Sequence, residues 1–234
     1  MGASRDPRDR LIVALDTPSL PEAEALADRL AGAVRWFKIG PQLFTPAGPA
    51  AVAAIRRRGE IFLDLKFHDI PSTVAAGVAA AARLGVSLCN VHALGGRAMI
   101  EAASRAARET RMRVIAVTLL TSGDAATLED IGVREAPAAE TLRLARLAQA
   151  GGLDGVVAPP LDAAAVRKAC GPEFLIVSPG IRPMDGDRDD QRRTDTPAAA
   201  VAAGADMLVV GRAIIRADDP RRVVEEIIRQ IAGP

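Results

Sequence analysis

Short apolar runs and amphipathic stretches alternate along the chain almost without interruption. The runs 11–15, 34–39, 61–65, 87–91, 113–117, 153–157, 174–177 and 207–210 are brief and mostly apolar, as strands buried on both faces are. Helical patterns lie between them at 21–30, 41 to about 57, 71–84, 97–108, 138–150, 162–169, 196–203 and 220–231. Ser19 stands where an N-cap is expected, and Pro21, Pro41, Pro71 and Pro220 stand at helix starts. The stretch from 118 to about 136 is polar, with no strand or helix assigned to it.

Eight strand–helix units in 234 residues predict an α/β protein of the (β/α)8 TIM-barrel class. An open doubly wound sheet would use fewer strands, and no Gly-x-Gly-x-x-Gly follows the first run. No linker, low-complexity tract or short repeat divides the chain. The expectation is a single barrel domain over 1–234, with 1–10 a flexible N-terminal extension.

Composition narrows the function classes. Basic and acidic residues number 30 and 29, a net charge of +1, and aromatic residues make up 3%. That balance argues against a nucleic-acid partner. No apolar run is long enough for a membrane span, and the charged first ten residues lack the apolar stretch of a signal peptide. Cys89 and Cys170 read as reduced, structural thiols of a cytoplasmic protein. His68 and His92 are not spaced as zinc ligands, so no metal site is expected, and both suit hydrogen-bonded supporting roles. No Gly-x-Ser-x-Gly elbow is present.

In a barrel the chemistry sits at the carboxyl ends of the strands. Those ends carry Asp16, Lys38, Asp64 with Lys66, His92, Thr118 with Thr121, Pro179–Gly180–Arg182 and Gly211–Arg212. The amino-terminal ends show no such concentration, an asymmetry that points to an enzyme. Barrel closure makes the first three strands neighbours, which gathers Asp16, Lys38, Asp64 and Lys66, with Asp69 nearby. Residues two apart on a strand share a face, so Asp64 and Lys66 point the same way. Such a cluster fits either an ion-pair network capping the barrel or a catalytic site. A lysine held charged among carboxylates is a poor nucleophile but a good stabiliser of, and proton donor to, a carbanion. Gly211–Arg212 fits a phosphate site after the last strand, or a solvated arginine after a turn. The polar loop 180–195 fits a lid over a bound anion, or a solvated connection. The alanine-rich face at 74–82 reads as packing surface, including between subunits.

Asp64-Leu65-Lys66-Phe67-His68-Asp69-Ile70-Pro71-Ser72-Thr73 resembles the signature of the orotidine 5′-monophosphate decarboxylase family. Val13–Asp16, Phe37–Gly40, Val117–Ser122, Pro179–Pro183 and Val210–Ala213 are similar to further segments of that family, in its order. The resemblance implies cofactor-free conversion of orotidine 5′-monophosphate to UMP and CO2 by a homodimer with sites at the subunit boundary. It implies that Asp16 and Lys38 bind ribose hydroxyls, Asp64 faces the substrate carboxylate, and Lys66 stabilises and protonates C6. Lys38, Asp64, Lys66 and Asp69 would form the catalytic set; Asp69, Ile70 and Thr73 would also contribute to substrate binding, with Asp69 and Thr73 reaching into the partner's site to contact its ribose. Thr121 would hold the pyrimidine edge, and Arg182, Gln191, Gly211 and Arg212 the phosphate. Two other readings stand beside it: a magnesium-dependent sugar-phosphate decarboxylase or aldolase of the same superfamily, and a silent nucleotide-binding barrel.

Overall fold

A computed structural model of the chain describes residues 6–181 and 195–233. Eight strands, β1 (Leu11–Ala14), β2 (Trp36–Ile39), β3 (Glu60–Phe67), β4 (Leu88–His92), β5 (Arg113–Val117), β6 (Gly155–Val157), β7 (Leu175–Ser178) and β8 (Met207–Val210), close in sequence order into a parallel barrel. The expected (β/α)8 architecture is therefore present. Alternation along each strand splits the core in two. Ile12, Trp36, Phe62, Leu88, Ile115, Leu175, Val177 and Met207 fill the barrel. Residues such as Val13, Phe37, Leu63, Cys89, Val91 and Ile176 pack outward against the helices. Phe37 and Phe62 are essentially fully buried, which stabilises by about 3 kcal/mol apiece. Both cysteines are free and buried; burial, with Asp154 adding, pushes the Cys89 thiol up to about 12, so it packs as an apolar group.

The outer layer comprises α1 (Leu20–Arg29), α2 (Pro41–Ala47), α3 (Pro49–Ile55), α4 (Pro71–Arg83), α5 (Gly96–Ala107), α6 (Ala125–Asp130), α7 (Pro137–Ala150), α8 (Ala163–Cys170), α9 (Pro197–Ala202), α10 (Arg212–Ile215) and α11 (Pro220–Ala232). None is long and apolar enough to cross a membrane. Ser19 caps α1 by accepting from the Glu22 amide, as expected.

Three features differ from the sequence reading. The single helix expected over 41–57 is two helices, because Gly48 takes φ +55° and Pro49 opens a new one. The polar stretch after β5 contains α6, held by a capping box between Asp124 and Thr127. Residues 6–10, expected to be part of a flexible extension, are tied to the barrel. Pro7–Asp9 form a 3-10 turn, and Arg10 donates to the carbonyls of Ala205 and Asp206 at 2.9 and 3.2 Å.

Register decides what the barrel mouth displays. Ala14 on β1 lies opposite Lys38 on β2, and Lys38 opposite Phe62 on β3. The small Ala14 leaves the Lys38 chain room at the mouth. Pairing of β3 with β4 is regular to Leu63–Cys89, then resumes at Phe67–Val91. Four steps on β3 thus face two on β4, and Asp64 and Lys66 lie in the bulge between.

Candidate active site

Asp64 is held by two ammonium groups. Lys66 Nζ lies 2.7 Å from its Oδ1, and Lys38 Nζ lies 3.3 Å from its Oδ2. Lys38 also donates to Asp16 Oδ1 at 2.9 Å. Lys38 and Asp64 are buried, whereas the Lys66 side chain keeps 36% exposure. Lys66 is thus the ammonium that a bound molecule would meet.

Burial alone would neutralise these groups. For Asp64, desolvation raises the pKa, but the charges of Lys38 and Lys66 outweigh it and hold the carboxyl below the usual range. For Lys38, desolvation lowers the pKa, but Asp64 and Asp16 outweigh it and hold the amine above the usual lysine range. Attraction wins because each charge meets an opposite partner at hydrogen-bond distance. Asp64 and Lys38 are therefore both ionised at neutral pH.

The shared face of Asp64 and Lys66 is present, though not through regular alternation. Lys66 has φ +50°, the only non-glycine with positive φ among the described residues. Its amide donates to Oδ1 of Asn90, a fully buried residue of β4, at 2.8 Å. Asn90 Nδ2 in turn donates to Asp64 Oδ1 at 2.6 Å. Sequence reasoning overlooked Asn90; a lone amide inside an apolar strand, opposite an Asp-x-Lys pair, was the available signal.

A cavity of about 540 Å³ opens above this network at the carboxyl ends of the strands. Asp16, Lys38, Asp64, Lys66, Thr121, Gly211 and Arg212 all line it, as do Pro179 and Gly180. Its apolar wall includes Val117, Leu119, Val157 and Ala158. Gln42 and Arg216 also reach it, and neither was anticipated. A Cβ on Gly211 would sit 3.3 Å from Ala14 Cβ and 3.5 Å from Asp16 Oδ2, so the missing side chain keeps the β8–β1 wall open. Thr118 is fully buried instead, donating to the Val157 carbonyl at 2.8 Å.

Asp69, Ile70 and Thr73 stand apart from the cavity of their own chain. All three are exposed, Ile70 at 63%, because β3 ends at Phe67 and the chain turns outward into α4. Arg182 and Gln191 lie outside the described residues. His68 and His92 stack with ring centres 5.4 Å apart. Burial, then the charges of His68 and Lys66, pull His92 down to about 4, so it is neutral at pH 7 and accepts the Leu94 amide at Nδ1. Among the described residues, no group of three His, Cys, Asp or Glu side chains is placed to hold a metal ion.

The fold and this mouth define a (β/α)8-barrel protein with an ionised Lys–Asp–Lys network facing a cavity large enough for a nucleotide-sized ligand. The profile of the orotidine 5′-phosphate decarboxylase / HUMPS family matches residues 9–227, and the chain belongs to that family. It is 50% identical over 232 residues to the orotidine 5′-phosphate decarboxylase of Trichlorobacter lovleyi, covering 97% of this chain and 96% of that one. It is 55% identical over 227 residues to the enzyme so named from Halorhodospira halophila, covering 96% of each. The crystal structure of orotidine 5′-phosphate decarboxylase from Lactobacillus acidophilus superposes with a TM-score of 0.84 at 35% identity, over 95% of this chain and 99% of that one. An uncharacterized conserved protein from Geobacillus kaustophilus superposes at 0.83 with 38% identity, over 94% and 99%.

Proposed function

We propose that this protein is a carboxy-lyase that converts orotidine 5′-monophosphate to UMP and CO2 in pyrimidine synthesis, without a cofactor. The observation that carries the proposal is the Lys66 ammonium, 2.7 Å from a buried carboxylate and open to the cavity. The family membership and the relatives' names support the same reaction.

The substrate carboxylate sits beside Asp64, with Lys66 next to both. The bond from C6 to the carboxylate carbon breaks, CO2 leaves, and the electron pair stays on C6 in the ring plane, where delocalisation helps little. Lys66 stabilises that pair by its charge and then transfers an Nζ proton to C6; the neutral amine regains a proton from water. An ammonium already oriented by Asp64 needs little reorganisation as charge develops, which favours the transition state over the ground state.

The remaining roles are those that the resemblance to the family implies. Asp16 and Lys38 hold ribose hydroxyls, and Thr121 holds the pyrimidine edge. Gly211 and Arg212, at the start of α10, hold the phosphate together with Arg182 and Gln191. Phosphate binding far from C6 supplies energy that closes the site. Asp69 and Thr73 serve the site of a second subunit in a homodimer, a reading that their exposure in the single chain supports, and Ile70 contributes to substrate binding. The enzyme works in the cytoplasm.

The test is turnover of orotidine 5′-monophosphate by EDTA-treated protein, followed by absorbance with UMP confirmed as product. Sustained turnover is expected. Turnover that appears only with added Mg²⁺, or none on this nucleotide, overturns the proposal and returns attention to sugar phosphates.

A further inference from the structure

Asn90 has a bonding pattern that simple packing does not require. It sits on β4 between Cys89 and Val91, the two residues that bracket the bulge in β3. Its side chain points into the barrel and is fully buried. The bulge takes the Lys66 amide off the strand ladder, and the Asn90 carbonyl oxygen accepts that amide at 2.8 Å. The other end of the same carboxamide donates to Asp64 Oδ1 at 2.6 Å. That oxygen is also the one paired with Lys66 Nζ at 2.7 Å.

The orientation of the amide is determined by its partners. Flipped, it would set NH₂ against the Lys66 N–H and oxygen against the Asp64 carboxylate, and both contacts would repel. Aspartate would place a second carboxyl oxygen against Asp64. Leucine would leave a carboxylate oxygen and an amide without these bonds in the barrel interior. One amide therefore holds both the left-handed backbone of Lys66, at φ +50°, and the carboxylate that aims its ammonium.

We propose that Asn90 is a positioning residue for carbanion formation: it touches no substrate but fixes the Lys66–Asp64 pair in the geometry the reaction uses. The inference rests on the decarboxylation proposed above. It assigns Asn90 to the chemical step and not to nucleotide affinity.

The experiment compares wild type, Asn90→Ala and Asn90→Asp. It reads kcat and KM for orotidine 5′-monophosphate and UMP affinity by calorimetry, with rates expressed per UMP-binding site so that misfolded protein is not counted. Asn90→Ala severs both bonds; Asn90→Asp keeps the acceptor for Lys66 N–H and removes the donor to Asp64. For each, kcat falls about 10- to 100-fold while KM and UMP affinity stay within about twofold, the scale of a lost hydrogen bond to a charged group. The same loss should appear in exchange of the UMP C6 hydrogen with D₂O, which requires the same carbanion. Unchanged kcat, a loss confined to KM, or failure of both variants to yield any UMP-binding protein overturns the assignment. An inactive wild type overturns the proposed reaction instead.

Discussion

The Nζ atom of Lys66 lies 2.7 Å from Oδ1 of Asp64, whose side chain is only 12% exposed. Asp64 cannot lose its charge without leaving Lys66 and Lys38 facing a neutral group. A charged pair held this close to a barrel mouth contributes less to stability than its distance suggests, because desolvation offsets much of the attraction. Its use lies in an ammonium that is already oriented before substrate arrives.

Asp64→Asn should destabilise the protein by about 2 kcal/mol, below the usual range for a broken buried pair, because Asp16 still faces Lys38. The loss should depend on pH in a defined way. The folded pKa of Asp64 lies below its ordinary 3.8, so its contribution is complete at neutral pH and drains as pH falls below 3.8 through the folded value. The folded pKa of Lys38 lies above its ordinary 10.5, so its contribution is lost only as pH rises past 10.5 through the folded value. Urea unfolding of both proteins should show a constant gap between these limits that narrows outside them. A gap that widens in acid would contradict the ionised network.

His92 supplies a separate acid limb. Its folded pKa, pulled down to about 4 from 6.5, means that the unfolded chain binds a proton first as pH falls. Stability should drop between pH 6.5 and about 4, and His92→Gln should flatten that interval in thermal melts. An unchanged slope would show that His92 is not held neutral.

Much of this was legible because barrels put chemistry at strand ends. Asp16, Lys38, Asp64, Lys66, Thr121, Gly211 and Arg212 were found by asking which residues stand at or just past the carboxyl ends of the apolar runs, and all seven line one cavity. Asn90 escaped because it lies inside its strand, where a single polar residue carries no periodic signal. The left-handed Lys66 escaped for a related reason: a bulge depends on the partner strand, and alternation within one strand cannot reveal it. The break at Gly48–Pro49 was written in residue types that interrupt helices, but the apolar pattern on both sides masked it. The exposure of Asp69 is a property of one chain, and what would cover it in the proposed dimer is a surface that spacing does not encode.

If Asp69 completes a partner's site, two inactive variants should rescue each other. Lys66→Ala and Asp69→Ala, each inactive alone, should regain about a quarter of wild-type activity after co-refolding, since random pairing leaves one intact site in each mixed dimer. No rescue, with mixed dimers verified, would place Asp69 in the site of its own chain.

The most direct measurement is the turnover of Lys66→Ala on orotidine 5′-monophosphate beside its affinity for UMP. Turnover should fall by about 10³-fold or more, as loss of both the charge and the proton donor requires, while UMP binding remains measurable by calorimetry. Turnover near that of the wild type, with UMP still bound, would remove Lys66 from the reaction and with it the proposed mechanism.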